Sequence, residues 1–412
     1  MATPVLTDFE QRGLIADVTA PSEFGAHLAA ASRTVYVGFD PTADSLHIGS
    51  LVPLLALRRL QRAGHRPIVL VGGGTGLIGD PAGKPGERAL SPQEQVAVYA
   101  TRLKAQVRPF LDFDRGPHAA ILVDNYEWLS RLEVIPFLRD VGKHFGVGSM
   151  IARESVRARL GAGISYTEFS YQVLQAYDFL ALRERYDCTA QLGGSDQWGN
   201  ITAGVELIRR VSGDAAYGLT MPLVTKSDGS KFGKTETGTV WLDPAKTSAY
   251  EMYQFWLNTA DADVERFLKY FTFLELADVD TLVRESRSAP EKRQAQRALA
   301  REVTRLVHGD AATREAERAG QRAFDDPAGI LDDEGGGIPG SVLPASEMPR
   351  PVWRVLRDAD IVASTSEARR LIQQGGVEVN RRRIVDIGET LPPGRYAIKV
   401  GKRRVYRVVI EG

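Results

Sequence analysis

The chain has little that would suit an oxidising compartment or a membrane. Cys188 is the only cysteine among 412 residues, so no intramolecular disulfide can form. Residues 1–13 include Asp8 and Glu10 and contain no apolar run, which argues against a secretory signal. No apolar stretch approaches the ~20 residues that a membrane-spanning helix needs. We therefore expect a soluble, cytoplasmic protein.

Motifs of several common enzyme classes are also absent. The sequence contains no HExxH, no CxxC and no spacing of two histidines with a carboxylate, which argues against a bound zinc ion. The glycine-rich segment at 72–76 lacks the lysine spacing of a P-loop, which argues against a Walker-type ATPase. We expect no structural metal bound by the protein itself.

What the sequence does contain is typical of a large globular protein. Hydrophobic residues make up 43% and charged residues 25% of the chain, and its length predicts two or three domains. The net charge is zero, but residues 350–412 hold 14 Lys and Arg against 7 Asp and Glu. A basic terminal segment on an acidic body is common in proteins with an anionic partner such as nucleic acid. A solvated surface explains the same charges, and charge alone favours neither.

Strand-like and helix-like segments alternate through the first half of the chain. Residues 34–40 follow a period of two, with Val35, Val37 and Phe39 on one face. Residues 67–71 form a continuous apolar run that ends in glycines, as a strand buried on both faces does. The alternation predicts a parallel, doubly wound sheet with its ligand-binding residues after the strands.

The predicted fold class is α/β. A Rossmann-like catalytic domain with a helical insertion is followed by an all-α domain and a small α+β module. The predicted boundaries are 1–246 for the catalytic domain, about 130–165 for its insertion, 247–324 for the helical domain, 325–349 for a Gly- and Pro-rich linker and 350–412 for the terminal module.

Two short signatures far apart in the sequence can act on one ligand. His47 and Gly49 lie between a predicted strand and a predicted helix, where backbone N–H groups attract an anion. Lys231 and Lys234, in the loop at 231–235, can converge on the same anion and neutralise charge during phosphoryl or nucleotidyl transfer. Taken alone, each is better explained as a structural loop histidine or a solvated basic loop. Together they predict a site that binds a polyphosphate from two sides.

Two further patterns indicate what else this site holds. Tyr171, Gln175 and Asp178 are spaced by four and three residues, which places them on one helical face. They suit a small polar zwitterion better than an apolar core, and a polar surface stripe is the alternative. The segment at 193–200 contains glycines that allow close backbone approach, and its Asp196 can bind ribose hydroxyls.

With these residues identified, the chain resembles the bacterial tyrosyl-tRNA synthetases, a family of class I aminoacyl-tRNA synthetases. The resemblance covers essentially the whole length. Its most specific parts are 36–49, Gly76-Leu-Ile-Gly-Asp80, 171–178, 193–200 and Lys231-Phe-Gly-Lys-Thr235.

The resemblance implies an activity and a role for each motif residue. The implied enzyme activates L-tyrosine with ATP, accompanied by Mg²⁺, to tyrosyl-adenylate and pyrophosphate, and then transfers tyrosine to the 3′-terminal ribose of tRNA. The implied tyrosine-binding residues are Tyr36, Asp80, Tyr171, Gln175, Asp178 and Gln191. The implied ATP-binding residues are Gly38, Asp40, Thr42, His47, Gly49, Asp196, Gln197 and Lys234. The implied catalytic residues are His47, Ser50, Lys231, Lys234 and Thr235, and in the family the loop that contains Lys84 and Arg88 closes over pyrophosphate.

One position departs from the family pattern, and two segments extend the resemblance. Ser50 stands where the first signature usually ends in a second histidine, and serine still donates one hydrogen bond, so we expect an active enzyme. Residues 350–412 resemble an S4 RNA-binding domain, and the insertion resembles the part that forms the family's homodimer interface. The implied tRNA-binding residues are Arg369, Arg370, Arg381, Arg382 and Arg383.

Two other function classes compete with the tRNA ligase. One is an RNA-binding scaffold that keeps the synthetase shell without catalysis; the retention of His47, Asp80 and Asp178 argues against it. The other is an adenylating enzyme that passes an amino acid to an acceptor other than tRNA, and the S4-like module argues against that. Tyrosine-dependent ATP–pyrophosphate exchange and transfer to tRNA separate the three.

Overall fold

The computed structural model describes residues 4–82, 90–157, 159–161, 163–227, 229, 232–235, 238–325, 340–344, 349–362, 364–401 and 404–412. Its backbone divides into two compact units. The first comprises Met1–Phe232 and Lys269–Leu276, and the second comprises Gly233–Leu268 and Ala277–Gly412. The four-part division expected from the sequence is finer than these units and stays a prediction.

The first unit is organised around a six-stranded sheet. In spatial order its strands are β1, β6, β5, β2, β3 and β4. All neighbours from β6 to β4 are parallel, and only β1 is antiparallel to its neighbour. The prediction of an α/β fold with a parallel sheet is confirmed. The strands are β1 (Asp17–Val18), β2 (Thr34–Phe39), β3 (Arg66–Val71), β4 (Ile121–Asp124), β5 (Cys188–Gly194) and β6 (Tyr217–Met221).

Helices fill the connections between these strands. They are α1 (Val5–Gln11), α2 (Pro21–Ala30), α3 (Leu51–Arg62), α4 (Gln93–Val107), α5 (Tyr126–Leu129), α6 (Val134–Pro136), α7 (Val147–Ile151), α8 (Glu154–Arg157), α9 (Tyr166–Tyr186) and α10 (Trp198–Ser212). The long helix α9 begins where the Ser165 side chain accepts the N–H of Glu168, and it ends at Asp187 in the left-handed conformation (φ 52°).

The middle strand β2 is buried on both faces. Val35 and Val37 share the predicted apolar face and are 0% and 2% exposed. Tyr36, on the other face, is only 1% exposed, because it packs against Phe179 of α9 with 5.2 Å between ring centroids. One face of β2 therefore carries apolar side chains, and the other face carries a tyrosine whose hydroxyl is buried inside the protein.

The second unit contains a helical part and a small five-stranded sheet. Its helical part is formed by α11 (Ala249–Leu257), α12 (Asp261–Phe271, whose end lies in the first unit), α13 (Leu276–Ser288) and α14 (Gln294–Asp325), after the short strands β7 (Lys234–Thr235) and β8 (Gly238–Thr239). Non-helical angles at Gly309 (φ 82°, ψ 171°) divide α14 into two helices.

The terminal module packs two helices on its sheet. Its elements are β9 (Gly340–Leu343), β10 (Arg350–Pro351), α15 (Val352–Asp358), α16 (Thr365–Gln373), β11 (Val377–Val379), β12 (Arg382–Ile384), β13 (Thr390–Leu391), β14 (Gly394–Val400) and β15 (Arg404–Ile410). The five-stranded sheet runs in the order β12, β11, β14, β15, β9. Ser364 caps α16 by accepting the N–H of Glu367. Across the described residues, no helix is both long enough and apolar enough to cross a membrane.

Candidate active site

The predicted site residues of the first unit gather at the carboxyl edge of its sheet. Asp40 directly follows β2, Gly72 follows β3, Asn125 follows β4 and Gln197 follows β5. Parallel strands end at one shared edge, so residues separated by more than 100 positions come together there. The long helix α9 crosses this edge and adds the side chains of Tyr171, Gln175 and Asp178.

Buried polar atoms without a hydrogen-bond partner occur on three adjoining elements, β2, β5 and α9. Tyr36 and Gln191 are register partners on neighbouring parallel strands, so their side chains leave the sheet on the same face. The Tyr36 hydroxyl, Gln191 Oε1 and Gln175 Oε1 are buried, and none of the three has a hydrogen-bond partner among the described residues. Each such atom costs about 1–3 kcal/mol when left unpaired. Three of them on adjoining elements, with the Tyr36 ring packed on α9, indicate a binding pocket for a polar ligand.

Asp178 forms the acidic side of this pocket. Its Oδ1 accepts the indole N–H of Trp128 at 2.7 Å, and its Oδ2 accepts the amide of Asn125 at 2.8 Å. Burial raises the pKa of the Asp178 carboxyl to about 8, and the two N–H donors act against that rise. Burial, followed by the charge of Asp178, raises the pKa of Tyr36 well above its usual value, so the Tyr36 hydroxyl keeps its proton.

Sequence reasoning missed Asn125 and Trp128. Asn125 was visible only as the polar end of an apolar run, and Trp128 gave no signal. Both lie about 50 positions before Asp178, and only the fold brings them to its carboxylate.

Two further aspartates, Asp40 and Asp80, lie beside the pocket and are held by hydrogen bonds. Asp40 accepts the hydroxyl of Thr75 at 2.7 Å on one oxygen and that of Tyr171 at 2.7 Å on the other. The Asp80 carboxylate accepts the side-chain amide of Gln197 at 2.7 Å and the backbone N–H of Ala82 at 2.9 Å. Asp40 was expected on the ATP side, yet it bonds a tyrosine-side residue, so the two sets of predicted residues share one network.

The glycine triplet after β3 makes room for these carboxylates. A Cβ atom on Gly72 would lie 2.0 Å from Oδ1 of Asp40 and 2.4 Å from the Thr75 hydroxyl. A Cβ atom on Gly73 would lie 2.3 Å from Oδ1 of Asp124. These distances are far below van der Waals contact, so an alanine at either position would force the facing carboxylate to move.

His47 has a defined hydrogen-bond orientation. Its Nδ1 accepts the backbone N–H of Gly49 at 3.0 Å, so the neutral ring carries its proton on Nε2 and can donate it outward. The surrounding protein lowers the pKa of His47 by desolvation, although the residue is exposed at its surface. A Cβ atom on Gly49 would lie 2.8 Å from the His47 ring, so the imidazole occupies the space that the absent side chain leaves.

The remaining ATP-side residues are placed less completely. Thr42 and Asp196 are exposed, Gly38 pairs with Leu70 in the sheet, and the half-buried Ser50 makes no side-chain cap to α3. Lys231, Lys84 and Arg88 lie outside the described residues. Lys234 and Thr235 are described only as backbone, in β7. The two-sided polyphosphate site therefore stays a prediction.

The five predicted tRNA-binding arginines are exposed in the terminal module. The Arg369 guanidinium lies over the Trp353 ring at 4.6 Å, and Arg382 forms an ion pair with Glu389. Arg381 is at the tip of the β11–β12 hairpin with φ 68°, a left-handed conformation that is uncommon for arginine. Within the described residues, no group of three or more His, Cys, Asp or Glu is arranged to hold a metal ion.

The fold and this edge of the sheet define a class I aminoacyl-tRNA synthetase. The family model described as "tRNA synthetases class I (W and Y)" matches residues 29–325, and the S4 domain model matches residues 354–395. The tyrosine–tRNA ligase of Bacillus caldotenax is 51% identical over 416 residues, covering 98% of this chain and 99% of its own. That of Aliivibrio fischeri is 49% identical over 97% of both chains.

A solved structure agrees with these relatives. The C-terminally truncated mitochondrial tyrosyl-tRNA synthetase of Aspergillus nidulans matches with a TM-score of 0.72 and 29% identity, covering 78% of this chain and 95% of that one. The chain belongs to the tyrosine–tRNA ligase family. The resemblance found from the sequence motifs is thereby confirmed.

Proposed function

We propose that this enzyme activates L-tyrosine with ATP to tyrosyl-adenylate and pyrophosphate, and then transfers the tyrosyl group to the 3′-terminal ribose of tRNA. One observation supports the choice of amino acid most directly. The buried atoms without partners belong to Tyr36, Gln175 and Gln191 on the adjoining elements β2, α9 and β5, and Asp178 acts electrostatically on Tyr36. A phenol can accept from Tyr36 and donate to Asp178, whereas a phenyl ring leaves the Tyr36 hydroxyl unpaired.

The other end of the pocket suits the amino acid's charged groups. Asp40 and Asp80 both act electrostatically on Tyr171, so this region suits a cationic group. We propose that Asp80, Tyr171 and Gln175 bind the α-ammonium group of tyrosine. We propose that Gln191 helps to orient the substrate. Asp40 holds the Tyr171 hydroxyl in position for this contact.

Activation needs charge stabilisation more than proton transfer. The tyrosine carboxylate is already ionised at neutral pH, so its attack on the α-phosphate requires no general base. Negative charge develops on the phosphorus centre and the leaving pyrophosphate. We assign its stabilisation to the N–H of His47 and to the second signature, and Mg²⁺ would enter with ATP. The ATP-side residues proposed for this step are Gly38, Asp40, Thr42, His47, Gly49, Ser50, Asp196, Gln197, Lys231, Lys234 and Thr235.

The insertion at 130–165 is proposed to form a homodimer interface. Large apolar side chains there face solvent, with Val134 69%, Ile135 73% and Val147 61% exposed. Clustered apolar exposure of this kind is typical of a protein–protein interface, and a second copy of the chain would cover it. The terminal module, with its exposed arginines, is proposed to bind tRNA phosphates. We propose the cytoplasm as the compartment, where tRNA charging serves protein synthesis.

Tyrosine-dependent ATP–pyrophosphate exchange tests the proposed activity and its specificity. Tyr36→Phe removes one hydrogen bond to the phenol, so kcat/KM for tyrosine should fall about tenfold, with phenylalanine less affected. Tyr126→Phe, at a partly exposed tyrosine outside the pocket, is the matched control.

The outcomes distinguish the competing functions. No exchange by the wild type would contradict the proposal and favour the scaffold. Exchange without transfer to tRNA would favour the adenylating enzyme with another acceptor.

A further inference from the structure

A basic groove lies at the opposite edge of the same sheet. Two adjoining cavities, of about 370 and 320 Å³, share Arg58, Asp112 and Arg115 in their walls. Arg108 completes one cavity and Arg62 the other. Arg58 and Arg62 are at the end of α3, which leads into β3, and the segment from Arg108 to Arg115 leads into β4. The groove is therefore at the amino ends of the strands, away from the tyrosine pocket. We call it the amino-edge groove.

The loop that carries Arg115 is held in place by α3. The Gln61 side chain donates to the carbonyls of Asp112 at 2.7 Å and His118 at 2.9 Å, and it accepts the N–H of Asp112 at 3.0 Å. The Asp112 carboxylate in turn accepts the N–H groups of Asp114 and Arg115 at 3.0 and 3.1 Å. Hydrogen bonds thus fix both ends of the loop that lines the groove. The Asp112 carboxylate, one of the two acidic side chains in the groove, already accepts backbone N–H groups.

The arginines are held by ring faces and a carbonyl rather than by carboxylates. Arg62 lies 3.9 Å from the Phe273 ring centroid, and Arg108 lies 5.6 Å from that of Phe113. Arg58 donates from Nη1 to the Phe110 carbonyl at 2.7 Å, while its Nε is buried without a partner in the described part of the chain.

Neighbouring arginines are bound differently. Arg59 and Arg102 form ion pairs with Asp8 and Asp44, whereas none of the four groove arginines pairs with a carboxylate among the described residues. Desolvation lowers the pKa of Arg58, and the charge of Asp112 acts against that shift; desolvation and then the charge of Arg58 lower the pKa of Arg62. Four arginines facing two aspartates leave the groove with a net positive charge.

We propose that the amino-edge groove binds the phosphate groups of a polyphosphate or phosphodiester anion. Guanidinium N–H edges match pairs of phosphate oxygens, and each cavity can hold a phosphate-sized group. The same chemistry is present in a free polyphosphate and in an RNA backbone. This site is separate from the proposed ATP site and does not depend on the proposed function.

Crystals soaked in sodium tungstate test the location directly. Tungstate mimics phosphate and scatters anomalously, so an anomalous peak is expected beside Arg58 and Arg115. The double variant Arg58→Gln/Arg115→Gln should lose that peak. No peak in wild-type crystals overturns the proposal. The single variant Arg115→Gln, at an exposed side chain, serves if the double variant does not fold.

Two binding measurements distinguish the source of the phosphate. In calorimetry with inorganic pyrophosphate, the double variant should show one binding site fewer than the wild type. The double variant should also bind a labelled single-stranded RNA more weakly, with the slope of log K against log salt concentration reduced by about 1 to 2. Arg284→Gln, an exposed arginine on α13, is the matched control. Loss of pyrophosphate alone assigns a free polyphosphate, and loss of RNA alone assigns a backbone. If neither changes, the proposal is wrong, while unchanged tyrosine-dependent exchange leaves the proposed function intact.

Discussion

At the scale of single residues, the tyrosine pocket is a set of polar groups whose burial is costly without a ligand. Asp178 is the most constrained of them, because both of its oxygens already accept N–H groups from Asn125 and Trp128. These donors fix the carboxylate in one orientation. The Tyr36 hydroxyl remains unpaired beside it, so the phenol of the substrate has one donor and one acceptor to meet.

The raised pKa of Asp178 predicts a pH-dependent stability. Because burial raises this pKa from 3.8 to about 8, the folded state binds a proton that the unfolded state has lost between these two values. Stability contributed by this group is therefore present below pH ~4 and is lost as the pH rises toward 8. Asp178→Asn should remove that part of the slope, which is at most about 1.4 kcal/mol per pH unit.

Urea unfolding at intervals from pH 5 to 8 measures this effect. The control is Asp140→Asn, at a fully exposed carboxylate with a lowered pKa, which should leave the wild-type slope over this range unchanged. Equal slopes for wild type and Asp178→Asn would show that Asp178 titrates normally.

At the scale of elements, the glycines in the turn after β3 leave room for the carboxylates of Asp40 and Asp124. Because a Cβ on Gly72 would lie 2.0 Å from Asp40, Gly72→Ala must displace that carboxylate. Asp40 holds the Tyr171 hydroxyl, so the displacement reaches the ammonium site. We expect kcat/KM in pyrophosphate exchange to fall up to about 10²-fold, as misplacement by about 1 Å can cause.

A matched glycine separates this effect from general destabilisation. Gly161→Ala places its Cβ where no heavy atom lies within 4 Å, so its exchange rate should stay at the wild-type value. Circular dichroism checks that both variants fold. A fully active Gly72→Ala would mean that Asp40 does not position Tyr171.

The hydrophobic periodicity of the sequence predicted the helices and strands well. Contacts between distant segments were predicted only where a family motif indicated them. Strand β3 was predicted from the apolar run at 67–71, and α9 from the spacing of Tyr171 to Asp178. Each of these patterns lies within a single segment of the sequence. Trp128 was missed because its bond to Asp178 depends on where two separate segments meet in space. The bond between Asp40 and Tyr171 was missed for the same reason, since it spans 131 positions. The assignment of Asp40 to the ATP side stays a prediction.

At the scale of the whole molecule, two assignments extend beyond one active site. The family models match residues 29–325 and the S4 domain at 354–395 separately, so the synthetase region and the S4 domain are different parts of the chain. The homodimer interface that we propose on the insertion would add assembly as a third function. Large exposed apolar side chains elsewhere, such as Val385 at 60%, provide a comparison for that surface.

The proposed dimer predicts that one charge in the insertion separates the subunits. Ile135 is 73% exposed in the single chain, so Ile135→Asp costs little in the monomer but buries an unpaired carboxylate in a dimer. Sedimentation equilibrium should give a dimer for the wild type and a monomer, or a dissociation constant raised at least about 10²-fold, for the variant. Val385→Asp introduces the same charge at an exposed apolar residue of the terminal module and should stay dimeric. A monomeric wild type, or a dimer unaffected by Ile135→Asp, would place the interface elsewhere or remove it.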